Sequence, residues 1–533
     1  MDKILYNAKI YSPNNQESFY EAVGIKDNLI VKVGNNQEVL SLRNTSTILI
    51  DCEGKLVIPG FNDSHMHLLS TGRLLSWVNL SNAKSISDVI NITKEFILNN
   101  EQHDVIVGHG WNHDYFRDDK RFITASDLDQ VSTTKPILLY RACGHIMSVN
   151  SQAIKIANID LNHQVNGGEF DLKNGVFKEN AIDLITKIIP EPTVEDIKTD
   201  LIKAMKHCNA YGITSVQSDD FSPIERINYK NTLIAYNELV KENKMSLRVY
   251  EQSLLPSLSI LNKFIKDGYY TGMGNDLFKI GPVKLLADGS MGARTAALLN
   301  PYHDDNSTKG ILNYSNDDLL ELIKLAHNNN LQIAVHGIGD AAITQIVDSF
   351  EIALKNNPRI DHRHGIVHAQ ITNLELIKRM KNLKLLVYAQ PIFIHYDKFI
   401  VEKRVGKEIA STSYLFKTMK NQGVEVSFGT DSPIEKVNPL DNIYTAVTRL
   451  SLNPEDKVSY LENEKFLVKE AINHYTIRSS YASFDEDKKG LIKEGYLADL
   501  VILDNDIIEN NPLDILKTKV LMTIMDGNIV YKA

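Results

Sequence analysis

Apolar and polar positions along the chain change rhythm between its ends and its centre. Over the first sixty residues, runs rich in β-branched residues (Lys3 to Tyr11, Ala22 to Val33 and Thr47 to Asp51) are broken at Pro13-Asn14-Asn15, Lys26-Asp27-Asn28 and Glu53-Gly54. That texture predicts short strands joined by turns. It returns at Leu497 to Leu503, Val520 to Ile524 and Ile529 to Tyr531, with a turn at Asp526-Gly527-Asn528. Either set alone offers few strands and a thin core. The economical solution is one small β-sandwich domain built from both ends of the chain, residues 1–58 and 485–533.

The centre alternates short apolar runs with helical patterns. Runs occur at Gly212 to Val216, Leu247 to Tyr250, Phe278 to Leu286, Leu331 to Val335, Gly365 to Val367, Leu385 to Ala389 and Val424 to Phe428, with helical periodicity in Asp317 to Asn328 and Ala341 to Asn356. Strand–helix alternation predicts a parallel sheet. With Leu56 to Pro59 as the first strand the count reaches eight, the number that closes a (β/α)8 TIM-like barrel over residues 59–484. An open doubly wound sheet competes, but no Gly-x-Gly-x-x-Gly follows the first strand. The interval from about residue 79 to 192 is far longer than a crossover needs, and reads as an inserted substructure covering the barrel mouth.

A formal net charge of -9 gives no general attraction to nucleic acid or to an anionic membrane. Cys52, Cys143 and Cys208 are scattered and odd in number, which suits a reducing compartment and provides no disulfide framework. The start lacks the apolar core of a signal peptide, and no apolar run is long enough to span a bilayer. The expectation is a cytoplasmic protein acting on a small molecule, without nucleic-acid or membrane partners.

Mapped onto these strands, one class of side chain falls in one kind of place. His65 and His67 end the first strand, Lys284 the fourth, His336 the fifth, His368 the sixth and Asp431 the eighth. In such barrels the C-terminal strand ends form the active-site face. Imidazoles two apart on a strand project to one side and can grip a divalent metal. Each residue has a plainer reading: a satisfied core histidine, a helix cap at Asp431-Ser432-Pro433, an ion-pair partner for Lys284. His362 and His364 are lesser rivals to His368. Six suitable groups on five strands of one barrel together point to a catalytic metal site.

The same residues resemble the amidohydrolase superfamily, in particular its YtcJ-like branch (the amidohydrolase family 3 type, which includes N-substituted formamide deformylases). The resemblance runs through Pro59 to His67, Gly108 to Asn112, Arg141 to His145, Val283 to Ser290, Val335 to Asp340, Ile366 to Gln370, Gly429 to Pro433 and Gly490 to Asp499. It implies one or two metal ions, Zn2+ by expectation: one held by His65, His67 and Asp431, a second by His336 and His368, with Lys284, if carboxylated, bridging the two. At Val367 the sequence departs from a glutamate often found before this histidine. The implied reaction is hydrolysis of an amide or N-substituted formamide by metal-activated hydroxide. Asp431 acts as general base and acid, and a side chain such as His145 aids the metal in polarising the carbonyl. Trp111, His113, Asp114, Arg141 and Arg294 are candidate substrate contacts, each equally readable as a packing aromatic or a structural ion pair. Gln390 and Asp340 are candidates for orienting the ligands. The alternatives are a deaminase, a cyclic-amide hydrolase or a lactonase of the same fold, a non-catalytic metal-binding protein, and a structural oligomer whose histidines merely pack. A homodimer is an implication of the resemblance alone.

Overall fold

The computed structural model describes residues 1–13, 15–160, 165, 168–221 and 229–533. Asn14, in the turn expected after Pro13, lies outside them. Two compact units are formed, one from residues 1–68 together with 204–533, the other from Leu69–Lys203.

In the first unit, eight parallel strands stand side by side in chain order: β1 (Phe61–Met66), β2 (Ile213–Ser218), β3 (Arg248–Leu254), β4 (Phe278–Leu286), β5 (Ile333–Gly337), β6 (Gly365–His368), β7 (Leu386–Ala389) and β8 (Glu425–Phe428). Each is hydrogen-bonded to the next in parallel register. The ends of the series meet again, since Asp431 N–H donates to the His65 carbonyl (2.8 Å) and His67 N–H to the Ser432 carbonyl (2.7 Å). This is the expected barrel. The helices Asn316–Asn328 and Asp340–Asn356 lie one residue from the predicted spans. Each buries one apolar stripe, as a helix covering a sheet must.

One strand assignment needs correction. Leu56–Pro59 does not open the barrel. It pairs with Lys9 and Ile10 on one side and antiparallel with Leu500–Leu503 on the other, and the barrel begins after Gly60 with Phe61–Met66. All four of its residues are buried. A strand covered on both faces has no polar alternation to show which sheet it joins. At Gly60 a Cβ would stand 2.3 Å from the Thr214 hydroxyl, so the crossing between the sheets needs glycine.

Both ends of the chain build the remaining β-structure. Leu29–Gly34, Ala22–Lys26, Lys3–Tyr6 and Ile48–Asp51 form a four-stranded sheet, in that order. Asn528–Lys532, Val520–Met525, Leu500–Leu503, Leu56–Pro59, Lys9–Ser12 and Asn15–Tyr20 form a six-stranded one. Leu5, Val23, Ile25 and Ile30 of the first pack with Val57, Leu500, Ile502 and Ile524 of the second. The run read at Lys3 to Tyr11 divides in two at Asn7, which adopts left-handed backbone (φ 51°), and the break expected at Lys26-Asp27-Asn28 falls between two strands, with Asp27 also left-handed (φ 54°).

The Leu69–Lys203 unit has its own six-stranded sheet, ordered Gly168–Asp171, Val176–Glu179, Ile146–Val149, Ile137–Arg141, Ile106–Trp111, Val78–Asn79. Trp111, Phe116, Ile123 and Leu139 anchor one of its cores. Among the described residues, no helix is long and apolar enough to cross a membrane.

Candidate metal centre

The candidate ligands meet at the C-terminal rim of the barrel. Among the described residues, the group of histidine, cysteine and carboxylate side chains that brings its ligand atoms within 4.8 Å of one another is His65, His67 and Asp431. Asp431 Oδ1 lies 3.2 Å from His65 Nε2 and 3.1 Å from His67 Nε2. Lys284 Nζ is 3.2 Å from His65 Nε2. The His368 ring is 5.7 Å from His65 and 4.4 Å from His336, centroid to centroid.

Each imidazole is oriented by an oxygen acceptor on its other nitrogen. His65 Nδ1 meets Gln252 Oε1 at 2.7 Å, and the Gln252 amide nitrogen donates to the Ser64 carbonyl, so its oxygen must face the histidine. His67 Nδ1 meets the Asp219 carbonyl at 3.1 Å. His368 Nδ1 meets Gln390 Oε1 at 2.7 Å, and the Gln390 amide donates to the Tyr388 carbonyl. His336 reverses the pattern, with Nε2 at 3.1 Å from the Gly289 carbonyl and 3.3 Å from Asp288 Oδ1. An acceptor on one ring nitrogen places the proton there and leaves a lone pair on the other. With their Nδ1 atoms so held, His65 and His67 turn Nε2 towards a buried carboxylate, and a divalent cation such as zinc that displaced the protons there would meet two imidazole nitrogens and a carboxylate oxygen, a donor set that fits it.

Electrostatics agree with that fit. Burial, then the neighbouring Lys284, push the His65 pKa down to about 3 despite Asp431. At His67 burial is outweighed by Asp431 and Asp219, and its pKa rises to about 9. Burial would raise the Asp431 pKa, but its bonds to both imidazoles hold it well below the usual carboxylate range. Burial lowers the Lys284 pKa against the pull of Asp219 and Asp431. An ionised carboxylate sealed in the rim thus draws positive charge, supplied by His67 when no metal is held.

Two of these side chains are presented by unusual backbone. Asp431 and His368 adopt left-handed conformations (φ 60° and 76°). For non-glycine residues this costs on the order of 1–3 kcal/mol and persists where the surroundings enforce it. Here the enforcing bonds include Asp431 N–H to the His65 carbonyl.

The other candidates are placed differently. Arg294 pairs with Asp304 at 3.0 Å in the first unit. Asp340 accepts from the Leu299 N–H at the start of its helix. His362 and His364 lie just before β6, at the end of that strand away from His368, in a buried histidine network with His327. Trp111, His113, Asp114, Arg141 and His145 all belong to the Leu69–Lys203 unit. Trp111 is fully buried, its indole donating to the Leu139 carbonyl. Arg141 bonds Asp114 and Asn112, and the exposed His145 pairs with Glu179 at 2.9 Å. Sequence reasoning missed Gln252, Asp219 and Asp288. The available signal was polar residues at the ends of barrel strands, Glu251-Gln252-Ser253 and Ser218-Asp219-Asp220.

The model of the amidohydrolase family matches residues 49–531. The chain belongs to that family. This amidohydrolase is 31% identical to YtcJ of Bacillus subtilis (strain 168) over the full length of both chains. It is 24% identical to an N-substituted formamide deformylase of Arthrobacter pascens, over 100% of this chain and 98% of that one. Its fold is similar to the crystal structure of an uncharacterized metal-dependent hydrolase from Pyrococcus furiosus, with a TM-score of 0.79 and 31% identity over 96% of this chain and 99% of that chain. The amidohydrolase is thus a metal-dependent hydrolase on an eight-stranded α/β barrel.

Proposed function

We propose that the enzyme hydrolyses a non-peptide carbon–nitrogen bond, that of an amide or an N-substituted formamide. The observation that carries the proposal is the convergence of His65 and His67 on the buried carboxylate of Asp431. Likeness to a formamide deformylase across almost the whole of both chains supports the choice of bond.

His65, His67 and Asp431 would hold one metal ion, and His336 and His368 a second. Lys284 lies beside His65, and its lowered pKa enlarges the neutral share that would take up carbon dioxide; a carbamate formed there, with loss of a proton, would add negatively charged oxygen ligands for the cations. When bound, a divalent cation such as zinc supplies Lewis acidity, lowering the pKa of water from about 16 towards about 7 and polarising a carbonyl. Asp431 is ionised at neutral pH, so its carboxylate can take the proton of the attacking water and return it to the leaving nitrogen as the carbon–nitrogen bond breaks. Gln252, Gln390, the Asp219 carbonyl and the Gly289 carbonyl each hold one of the four imidazoles by a ring nitrogen.

The proposal is tested by screening zinc-loaded enzyme against N-substituted formamides, N-acyl amino acids, cyclic ureas and lactones. Release of formate and a free amine is the expected result. Turnover confined to lactones, or ammonia released from ring substrates alone, would overturn it.

A further inference from the structure

We infer that Asp63 is a positioning residue for this centre: its carboxylate fastens the last barrel strand to the first and so sets where Asp431 stands relative to His65 and His67. The inference rests on the reading that these three residues hold a cation.

The seam between β8 and β1 differs from the other seven junctions of the barrel. Those carry parallel ladders, whereas β1 and β8 are the two ends of the hydrogen-bonded series. Across the gap the backbone supplies Asp431 N–H to the His65 carbonyl and His67 N–H to the Ser432 carbonyl. The N–H groups of His65 and Thr430 are buried between them and require acceptors, since a buried unpaired N–H costs about as much as a lost hydrogen bond.

Asp63 accepts from both. Its Oδ1 lies 3.1 Å from His65 N and 3.1 Å from Thr430 N, and its Oδ2 lies 3.0 Å from Thr430 N and 2.7 Å from the Thr430 hydroxyl. The same hydroxyl accepts from Ser432 N–H at 3.2 Å. Asp63 and Thr430 are both 0% exposed. Packing leaves no slack: a Cβ on Gly429 would stand 2.5 Å from His65 N and 2.8 Å from Asp63 Oδ1. One carboxylate therefore grips the residue before Asp431 and the backbone of His65 itself. It is outside the convergent group of ligand atoms, so its action on the cation runs through strand position.

The test uses full-length metal-free protein and the variants Asp63→Asn, Thr430→Val and Thr430→Ser. For each, Co2+ affinity is measured by chelator competition, the visible spectrum of the Co2+ form is recorded, and the thermal midpoint is taken without metal. Asp63→Asn replaces one acceptor oxygen with a donor and is expected to weaken Co2+ binding 10- to 100-fold, the usual effect of removing a group that orients ligands. Its Co2+ absorption should shift. Thr430→Val should weaken binding by a smaller factor, Thr430→Ser should restore it, and both should keep the metal-free thermal midpoint of the parent within a few degrees. A purely structural staple would lower thermal midpoints and leave affinity and spectrum alone. Parental affinity and spectrum in Asp63→Asn, or in Thr430→Val if the former does not fold, overturn the inference while leaving the cation reading intact. A parent protein that binds no Co2+ removes the cation reading and this inference with it.

Discussion

At the rim of the barrel, Gln252 decides what His65 can do. Its amide oxygen holds Nδ1 and leaves Nε2 free to ligate. In Gln252→Leu the ring loses that acceptor, and zinc affinity measured by chelator competition should fall 10- to 100-fold. Asp431→Asn probes the other role. It keeps an oxygen for the imidazoles but cannot take a proton, so bound metal should persist while kcat drops by at least about 100-fold, as checked by metal analysis beside steady-state rates. Near-parental turnover in that variant would remove Asp431 as the base. His65, His67, His336, His368 and Asp431 were legible because each sits at a strand end on one face. Gln252 was not, because it lies two residues past the apolar run that ends at Tyr250. Whether a polar residue inside a barrel strand points at the centre depends on register and twist, which the local pattern does not encode.

Among the elements, β4 could be read to the residue, Phe278 to Leu286, whereas Leu56–Pro59 was placed in the wrong sheet. The difference is physical. Fully buried strands carry no alternation, so their partners are chosen by tertiary packing, here by Leu500–Leu503. The same tightness governs the junction of β8 with β1. In Gly429→Ala the new methyl would meet backbone atoms of His65 that cannot swing aside. Overpacking of this kind costs about 1–3 kcal/mol, and thermal denaturation should show a lower midpoint together with weaker metal binding. An unchanged midpoint would mean that the two strands separate easily.

For the whole molecule, pH acts through a site far along the strands from the rim. His364 Nε2 meets His327 Nδ1 at 2.9 Å, His327 Nε2 meets the Asn357 carbonyl, and His362 Nε2 meets the Leu383 carbonyl. Burial lowers the pKa of all three, that of His362 to about 4, with Arg359 adding to the effect and Asp361 opposing it at His362. In the unfolded chain they titrate near about 6.5. Their contribution to stability is therefore complete above that value and falls as pH drops towards about 4, because the unfolded state binds the protons first. Each histidine contributes a slope of at most about 1.4 kcal/mol per pH unit. His362→Gln can still donate to Leu383 and accept from the His364 N–H, so it should flatten the acid limb of a midpoint-against-pH curve by one proton. An acid limb identical to that of the parent would exclude His362 from the network.

The six-stranded sheet has a consequence for how the protein is made. Leu56–Pro59 leaves the ribosome more than four hundred residues before its neighbour Leu500–Leu503. Until synthesis is nearly finished, a wholly apolar strand waits with an open edge beside Lys9–Ser12. Such an edge invites pairing with other chains. The nascent polypeptide therefore needs shielding during elongation, and chains stalled before residue 500 should be held by chaperones or lost to aggregates.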